Sequence, residues 1–480
     1  MTLQSVQRKD ISFSPDPSRV ILRFFLPGDR RKVESVIRRI QSLDDEHVRD
    51  QLRQVKHTFS HRHRNTEQQF LTHYRKIAAE YDVDSDLSEE KALLLGAYFS
   101  HEYSIESAAL FNPSMVVHPD QTGLAEEDTR IVLSFRATGE GHLSTIEFRS
   151  GKLDRDNNIS MDKDHQYADL PNLTLQKDLE KKRFSRKMRV AGVIDDTIES
   201  ALQNLPEVFS AAALINELRG LRQSNGDLPA IPAAVRLARA HNTRVFSEET
   251  NLSERVIHPV LPEESNGLED ARFVRFVTDD GAAEYYATYT AFDGSEILPM
   301  LLHTTDFRHF DTIPMTGSAV RDKGMALFPR KIHGKYAMIS RIDGENLYIM
   351  YSDSVDIWQD AELLRKPQYP WEAIQLGNCG SPIETDEGGL LITHGVGPMR
   401  QYRIGMLLLD RNDPSEVIGS TAKPLLEPQS DEREGYVPNV VYSCGGIVHN
   451  DELVLPFAKS DSSCGIVTVK LEELLSELKP

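Results

Sequence analysis

From Arg255 to the C-terminus, short apolar runs are separated by turn residues. Runs of this kind cover residues 285–290, 336–340, 347–351 and 390–394. An apolar run rich in β-branched and aromatic residues between turn signals is typical of a β-strand. Many short antiparallel strands with few helices predict a β-propeller or a large β-sandwich, and periodicity alone does not count the blades.

Two other parts of the chain have the spacing of helices. With 480 residues, the chain is longer than one hydrophobic core usually supports, so several structural units are expected. Residues 1–100 predict a mostly helical accessory region with a strand at 20–25, and residues 161–250 predict a helical insertion. Residues 101–160 are then the first part of the β domain, and residues 251–480 are its remainder.

Within the insertion, helices are predicted over residues 173–188, 198–221 and 230–240. These helices are amphipathic, but their polar residues have no catalytic spacing. We therefore expect these helices to pack on the rim of the β domain or on a second subunit. Packing on a second subunit would make the protein a homo-oligomer.

The composition excludes several classes of partner. Lys and Arg number 55 against 74 Asp and Glu, so the net charge is −19. This charge disfavours nucleic acid and anionic membranes, and an anionic substrate would need locally placed cations. Three widely spaced cysteines indicate neither a zinc site nor a disulfide framework. No apolar run approaches about 18 residues and no signal-peptide pattern opens the chain, so a cytoplasmic location is expected.

Histidines in the N-terminal region raise the question of a metal site. His57 and His61 lie four residues apart, as they would on one face of a helix. No cysteine or carboxylate motif accompanies them, and Arg62 and Arg64 would repel a cation. We therefore predict no metal. Gly139 and Gly141 lack the third glycine and the following helix of a dinucleotide-binding loop, so no cofactor is predicted either.

The densest group of candidate functional residues follows the turn dipeptide Asn266-Gly267. The apolar run that begins at Phe273 predicts a strand, so Glu269, Asp270 and Arg272 would lie at the mouth of that strand. Two adjacent carboxylates beside a guanidinium are typical of a functional site. A turn acid that forms a surface ion pair has the same pattern, however.

Four further segments accompany this one in a fixed order. The five segments are Phe111-Asn112-Pro113, Gly267-Leu268-Glu269-Asp270-Ala271-Arg272, Lys323-Gly324-Met325-Ala326-Leu327-Phe328-Pro329, His394-Gly395 and Val437-Pro438-Asn439-Val440-Val441. Together they resemble the motifs of glycoside hydrolase family 130, the mannoside phosphorylases and mannosidases, over about residues 105–155 and 255–475. The resemblance implies that the mainly β fold is a five-bladed β-propeller, to which this chain adds the N-terminal α/β extension and the inserted helical segment predicted above.

The resemblance also implies a reaction, the cleavage of β-mannosides by inverting phosphorolysis to give α-mannose 1-phosphate. Asp270 matches the family's catalytic acid, which passes its proton through a hydroxyl of the bound mannose. The implied partners are a small saccharide and inorganic phosphate, which is a co-substrate. The residues expected to bind phosphate are Arg136, Arg272, Lys323 and His394. The residues expected to bind the saccharide are Asn112, Glu269 and Asp461.

Three departures from the family's motifs leave other functions open. Ala271 replaces a proline, Gly324 replaces an asparagine, and residues 456–459 replace an aromatic-glycine segment. One alternative is an inverting β-mannosidase in which a carboxylate base, Glu432 or Glu434, activates water. Another is a non-catalytic sugar-binding propeller, which would not need a catalytic acid.

Overall fold

The structure of the protein is a computed structural model that describes residues 6–163, 165, 167–176, 178–225 and 230–479. Within these residues the fold is mainly β, as predicted. No helix in the described part of the chain is long and apolar enough to cross a membrane. The same residues contain no group of three or more His, Cys, Asp or Glu that could hold a metal ion.

The N-terminal region combines short strands with four helices. Its elements are β1 (Gln7–Phe13), β2 (Val20–Phe24), α1 (Arg30–Gln41), α2 (Asp45–Phe59), α3 (Thr66–Glu80), α4 (Glu89–Tyr98) and β3 (Ser100–Ser104). The side chains of Asp29, Asp44 and Ser88 accept backbone hydrogen bonds and so cap α1, α2 and α4. Val33 and Ile37, at helical spacing on α1, are buried in the core of this region.

Antiparallel strands follow, and the insertion comes after them. The strands are β4 (Ala109–Val117), β5 (Thr129–Thr138), β6 (Ser144–Leu153) and β7 (Ile159–Met161). The elements of the insertion are β8 (Asn172–Leu175), β9 (Leu179–Glu180), α5 (Lys181–Val190), α6 (Asp196–Gln203), β10 (Val208–Phe209), α7 (Ala211–Asn225), α8 (Ala230–Ala240) and β11 (Asn242–Val245). The helix predicted from residue 173 begins only at Lys181, because β8 satisfies its backbone by pairing with β11.

The remainder of the chain is almost entirely β. Its strands are β12 (Val256–Ile257), β13 (Gly267–Val277), β14 (Ala283–Phe292), β15 (Ile297–Thr304), β16 (His309–Pro314), β17 (Ala326–Leu327), β18 (Tyr336–Ser340), β19 (Leu347–Ser352), β20 (Glu362–Arg365), β21 (Gln375–Asn378), β22 (Ile383–Glu384), β23 (Gly389–Val396), β24 (Tyr402–Leu409), β25 (Val417–Thr421), β26 (Val441–Tyr442), β27 (Ile447–His449), β28 (Glu452–Lys459), β29 (Ser463–Lys470) and β30 (Leu478–Lys479). One helix, α9 (Leu471–Ser476), precedes β30.

The strands pair into successive antiparallel groups. β4, β5 and β6 form one group, which is linked by a single parallel bridge to the group β13, β14, β15, β16, β11 and β8. The next groups are β17 to β20, then β21, β23, β24, β25 and β30. The last group has the order β1, β29, β28, β26, so the N-terminal strand completes a C-terminal sheet. The pairings of the described residues include no closed sheet.

The strand that carries Glu269 and Asp270 begins earlier than predicted. β13 starts at Gly267, whereas the apolar pattern predicted a start at Phe273. The two acids therefore lie inside the strand instead of at its mouth. The pairing of β13 with β14 shifts between Glu269 and Arg272, and Asp270 has a φ of 53°. A bulge of this kind interrupts the alternation of side chains along a strand. The polar residues at the bulge therefore did not indicate a strand in the sequence.

Candidate active site

One cavity lies where the successive groups of strands approach one another, and its volume is about 290 Å³. Side chains from β4, β13, β21, β26 and the segment before β17 line it, including Asn112, Asp270, Gln375, Tyr442 and Lys323. Five of the lining side chains are cationic and two are carboxylates, although the whole chain carries a net charge of −19. The cavity is therefore a locally positive site that suits an anion.

The amide of Asn112 donates a hydrogen bond to the carboxylate of Asp270. Both residues lie where the strand pairing shifts, after Phe111 in β4 and after Glu269 in β13. Their φ angles of 49° and 53° are left-handed, which asparagine and aspartate tolerate better than most residues. The two bulges bring these side chains together on the cavity wall, and such backbone strain is typical of functional sites.

Three cations surround Asp270. Arg136 Nη1 lies 3.5 Å from Asp270 Oδ1, and Arg272 Nη2 lies 4.0 Å from Oδ2. Arg272 also donates to the backbone carbonyl of Asp270 at 2.9 Å and to the phenol oxygen of Tyr442 at 2.6 Å. Burial acts to raise the pKa of Asp270, but Lys323, Arg136 and Arg272 together lower that pKa to about 2. Asp270 is therefore ionised at neutral pH while these cations face it.

Glu269 joins two of the same cations from beside the cavity. Its carboxylate oxygens lie 2.8 Å from Arg136 Nη2 and 3.3 Å from Lys323 Nζ. The guanidinium of Arg136 also lies over the ring of Phe111, 5.0 Å from its centroid. These contacts fix the positions of both cations relative to Asp270.

Three buried polar atoms of cavity-lining residues have no hydrogen-bond partner within the described part of the chain: Asn112 Oδ1, Arg136 Nε and Arg272 Nε. Buried polar groups are nearly always hydrogen-bonded, so unpartnered ones call for an explanation. A bound ligand with several acceptor oxygens would supply partners for the two guanidinium groups, and a ligand hydroxyl would supply one for the amide oxygen.

His394 is buried on the same wall. Its Nδ1 lies 3.2 Å from the carbonyl oxygen of Asn378, and its Nε2 lies 3.1 Å from Gln375 Nε2. Burial, followed by the charges of Arg341 and Arg272, lowers the pKa of His394 well below its usual value. His394 is thus neutral near neutral pH, and it would contact a ligand by hydrogen bonding instead of by charge.

Asp461, in the turn between β28 and β29, supplies the second carboxylate of the cavity. Burial, followed by the charge of Asp270, raises the pKa of Asp461 to about 7, although Arg136 and Arg400 act in the opposite direction. The two aspartates thus have pKa values that are pushed far apart, which is typical of sites where one carboxyl group is charged and the other holds a proton.

The two glutamates considered as alternative bases lie elsewhere. Glu432 is buried in an ion pair of 2.6 Å with Arg8 of β1, and its other oxygen caps the backbone at Gln429. Glu434 is exposed. Neither is among the described residues that line the cavity.

The lining residues that the sequence analysis missed include Arg341, Arg400 and Tyr442. Arg341 directly follows β18 and pairs with Asp322 at 3.0 Å. A cation at the end of a predicted strand is the signal that selected Arg136, and the same signal would have selected Arg341. Arg400 lies in the turn before β24 and Tyr442 in the short β26, and neither has a signal of its own.

The chain is similar to known proteins of one family. The profile of glycoside hydrolase family 130, described as beta-1,4-mannooligosaccharide phosphorylase, matches residues 230–479. A 1,2-beta-oligomannan phosphorylase of Thermoanaerobacter sp. is 34% identical over 227 residues, which are 46% of this chain and 75% of that protein. A beta-1,2-mannobiose phosphorylase of Listeria innocua is 31% identical over 255 residues, 51% of this chain and 68% of that protein.

A solved structure, the beta-1,2-mannobiose phosphorylase from Listeria innocua in complex with beta-1,2-mannobiose, is also similar. It has a TM-score of 0.47 and 21% identity, and the match covers 77% of this chain and 92% of that one. The range that matches the family profile is more than half of the chain, and it contains Asp270, Arg272, Lys323, His394 and Asp461. The chain belongs to glycoside hydrolase family 130.

Proposed function

We propose that this protein cleaves β-mannosides by inverting phosphorolysis and releases α-mannose 1-phosphate. The observation that carries the proposal is the cationic wall around Asp270, where buried guanidinium nitrogens of Arg136 and Arg272 lack partners among the described residues. Guanidinium groups are well suited to bind phosphate oxygens. The relatives named as mannoside phosphorylases support the same reaction.

Phosphate binding and proton transfer are coupled in this proposal. Lys323, Arg136 and Arg272 hold the pKa of Asp270 low, and an ionised acid has no proton to donate. A phosphate dianion beside these cations offsets their charge, which raises the pKa of Asp270 and allows it to take up a proton.

The bond changes then follow from the positions of these groups. A phosphate oxygen attacks the anomeric carbon, and the bond from that carbon to the leaving oxygen breaks. Asp270 gives its proton to a mannose hydroxyl, and that hydroxyl gives its own proton to the leaving oxygen. In the reverse direction Asp270 accepts the proton. Asp461, whose pKa is raised to about 7, is suited to hydrogen-bond the mannose hydroxyls in its protonated form.

Hydrolysis is the weaker alternative, because the described lining residues do not include Glu432 or Glu434. An inverting hydrolase needs a carboxylate base on the face of the sugar opposite the leaving group. Of the two lining carboxylates, Asp270 is assigned as the acid and Asp461 as a ligand of the mannose hydroxyls, so neither is left to serve as that base.

We further infer that the five groups of strands are the blades of a five-bladed propeller. Each group or its adjoining segment contributes a side chain to one cavity, as expected where inner strands converge on an axis. Pairing of β1 with β29 would tie the two ends of the ring together. The three cysteines are buried free thiols, which suits the reducing cytoplasm where we place the enzyme.

The experiment that tests the function runs the reaction in reverse. The protein is incubated with α-mannose 1-phosphate and, separately, mannose, β-1,2-mannobiose, glucose and no acceptor. We expect phosphate release that depends on the acceptor, together with a new β-mannoside. Phosphate release at the same rate without any acceptor would contradict the proposal.

A further inference from the structure

An exposed aromatic side chain stands next to the cavity wall. Tyr436 is 45% exposed, and its ring centroid lies 6.4 Å from that of Phe111, which lines the cavity. The hydroxyl of Tyr436 lies 2.8 Å from His142 Nδ1, and the two rings are 5.6 Å apart. The pair therefore presents an aromatic surface with a hydrogen-bonding edge.

The loop that carries His142 is held by the N-terminal region. The hydroxyl of Tyr103, on β3, lies 2.9 Å from the carbonyl oxygen of Glu140 and 3.2 Å from that of Leu143. A Cβ at Gly139 would lie 2.2 Å from the carbonyl oxygen of Ser104, so only glycine allows the loop to approach β3 this closely. The buried Tyr103 thus fixes both ends of the turn around His142.

The segment that carries Tyr436 also contacts the turn that contains Asp461. The backbone N–H of Val437, the neighbour of Tyr436, donates to the carbonyl oxygen of Ser460 at 3.0 Å, next to Asp461. The exposed Arg400 lines the cavity, and its charge acts on Asp461. Tyr436 and Arg400 therefore both stand near Asp461, at the solvent-facing side of a cavity whose buried part is cationic.

We propose that Tyr436 and His142, with Arg400, form the subsite for the sugar that leaves in phosphorolysis and attacks in the reverse reaction. The inference rests on the proposed function. Phosphate and the cleaved mannose occupy the buried cationic part, so the remaining sugar extends toward the exposed edge. There the apolar face of a pyranose packs on the ring of Tyr436, and its hydroxyls reach the polar edges of His142 and Arg400.

The same contacts assign a role to the N-terminal region. Tyr103 touches no substrate in this arrangement, so it is a positioning residue that acts through the loop of His142. Loss of its hydroxyl would loosen the leaving-sugar subsite and leave the phosphate-binding wall unchanged. A merely structural role would instead lower stability without changing the ratio of the Michaelis constants.

The test measures the reverse reaction with α-mannose 1-phosphate and either mannose or β-1,2-mannobiose as acceptor. For Tyr436→Ala we expect the KM of the acceptor to rise about tenfold or more, while the KM of α-mannose 1-phosphate stays within about twofold. Tyr98→Ala is the matched control, because Tyr98 is 43% exposed and its hydroxyl also bonds one side chain, that of Gln51. Tyr103→Phe should raise the acceptor KM severalfold with little change in kcat.

Equal effects of Tyr436→Ala on both Michaelis constants, or no effect on either, would overturn the subsite. If the wild-type protein shows no phosphate-dependent turnover at all, the proposed function fails separately. The subsite is then judged from calorimetric binding of β-1,2-mannobiose. Weaker binding by Tyr436→Ala than by Tyr98→Ala would support it, and equal affinities would overturn it.

Discussion

Asn112 in β4 and Asp270 in β13, which lie 158 residues apart, share a hydrogen bond between two different groups of strands, and each occupies a left-handed bulge. The amide donor stabilises the charged form of the carboxylate and fixes its direction. Two separate departures from regular strand geometry thus produce one contact on the cavity wall. Such a relationship is typical of a functional site, because strain at two positions has no evident benefit for stability.

Asp270→Asn should remove most turnover and preserve the fold, because the amide is isosteric but cannot carry the proton. General acid catalysis typically contributes about 10²- to 10⁴-fold, and we expect a loss of kcat on this scale. Initial rates of phosphorolysis and a thermal unfolding curve measure the two effects. Asp280→Asn is the control, since Asp280 lies in the exposed turn at the other end of β13. Near-normal turnover in Asp270→Asn would rule out this assignment.

Lys323→Ala should raise the KM of phosphate with a smaller effect on saccharide binding. Charged hydrogen bonds contribute about 1.5–3 kcal/mol, which corresponds to about a 10- to 150-fold increase in KM. Lys331→Ala is the matched control, because Lys331 also pairs with a carboxylate, that of Asp279 at 2.6 Å, away from the cavity. An unchanged phosphate KM in Lys323→Ala would place the phosphate elsewhere.

Asp461→Asn should make the protein more stable at alkaline pH. The pKa of Asp461 is about 7 when folded, above the usual value of 3.8, so the folded state holds an extra proton between about pH 4 and 7. Ionisation of Asp461 therefore makes the folded state less stable as the pH rises from about 4 to 7. The asparagine variant has no ionisable group at this position and avoids this loss of stability.

Because Asp461 is only partly buried, we expect a gain of about 1–2 kcal/mol at pH 8 and little difference at pH 4. Urea unfolding at the two pH values measures this gain. Asp451→Asn is the control, since Asp451 is exposed and has a similar left-handed φ of 59°. Lower stability of the variant than of the wild type at pH 8 would show that the folded state stabilises the ionised carboxylate of Asp461, which contradicts a raised pKa.

The stability of the packing between the insertion and the β domain should depend on a buried ion pair. Lys187 Nζ and Arg183 Nη2 of α5 each lie 2.8 Å from the carboxylate of Asp356, and Lys187 is fully buried. Asp356→Asn leaves this lysine without a counter-charge, which typically costs about 3–5 kcal/mol. Asp353→Asn, at an exposed neighbour, should change the free energy of unfolding little.

The double variant Asp356→Asn with Lys187→Met removes both charges and should recover much of that loss. Urea unfolding measures the free energies of both variants. We expect kcat to be unchanged under conditions where they are folded, because the ion pair lies outside the cavity. A normal stability of Asp356→Asn would show that the pair does not hold the insertion.

The sequence motifs selected most of the cavity wall. Asn112, Arg136, Asp270, Arg272, Lys323, His394 and Asp461 all line it, and Glu269 pairs with two of its cations. Asn112 and Asp270 lie at bulges with a left-handed backbone, which asparagine and aspartate tolerate better than most residues. The mainly β fold was also predictable, because the alternation of apolar runs and turns is local information.

Other features depend on tertiary structure and left no local signal. The early start of β13 was not predicted, because the bulge interrupts the alternation of apolar and polar residues that is typical of a strand. The first part of the segment from residue 173 has helical spacing but forms β8, because pairing with the distant β11 overrides local preference. Glu432 has the chemistry of a base, yet its partner Arg8, 424 residues away, holds it outside the cavity. No local pattern could reveal that contact.

The most direct test follows wild-type cleavage of β-1,2-mannobiose by proton NMR, with and without inorganic phosphate. We predict that cleavage requires phosphate and that the first product is the α anomer of mannose 1-phosphate, as inversion demands. Cleavage at an equal rate without phosphate, with free mannose as the product, would contradict the phosphorylase assignment and identify the protein as a hydrolase.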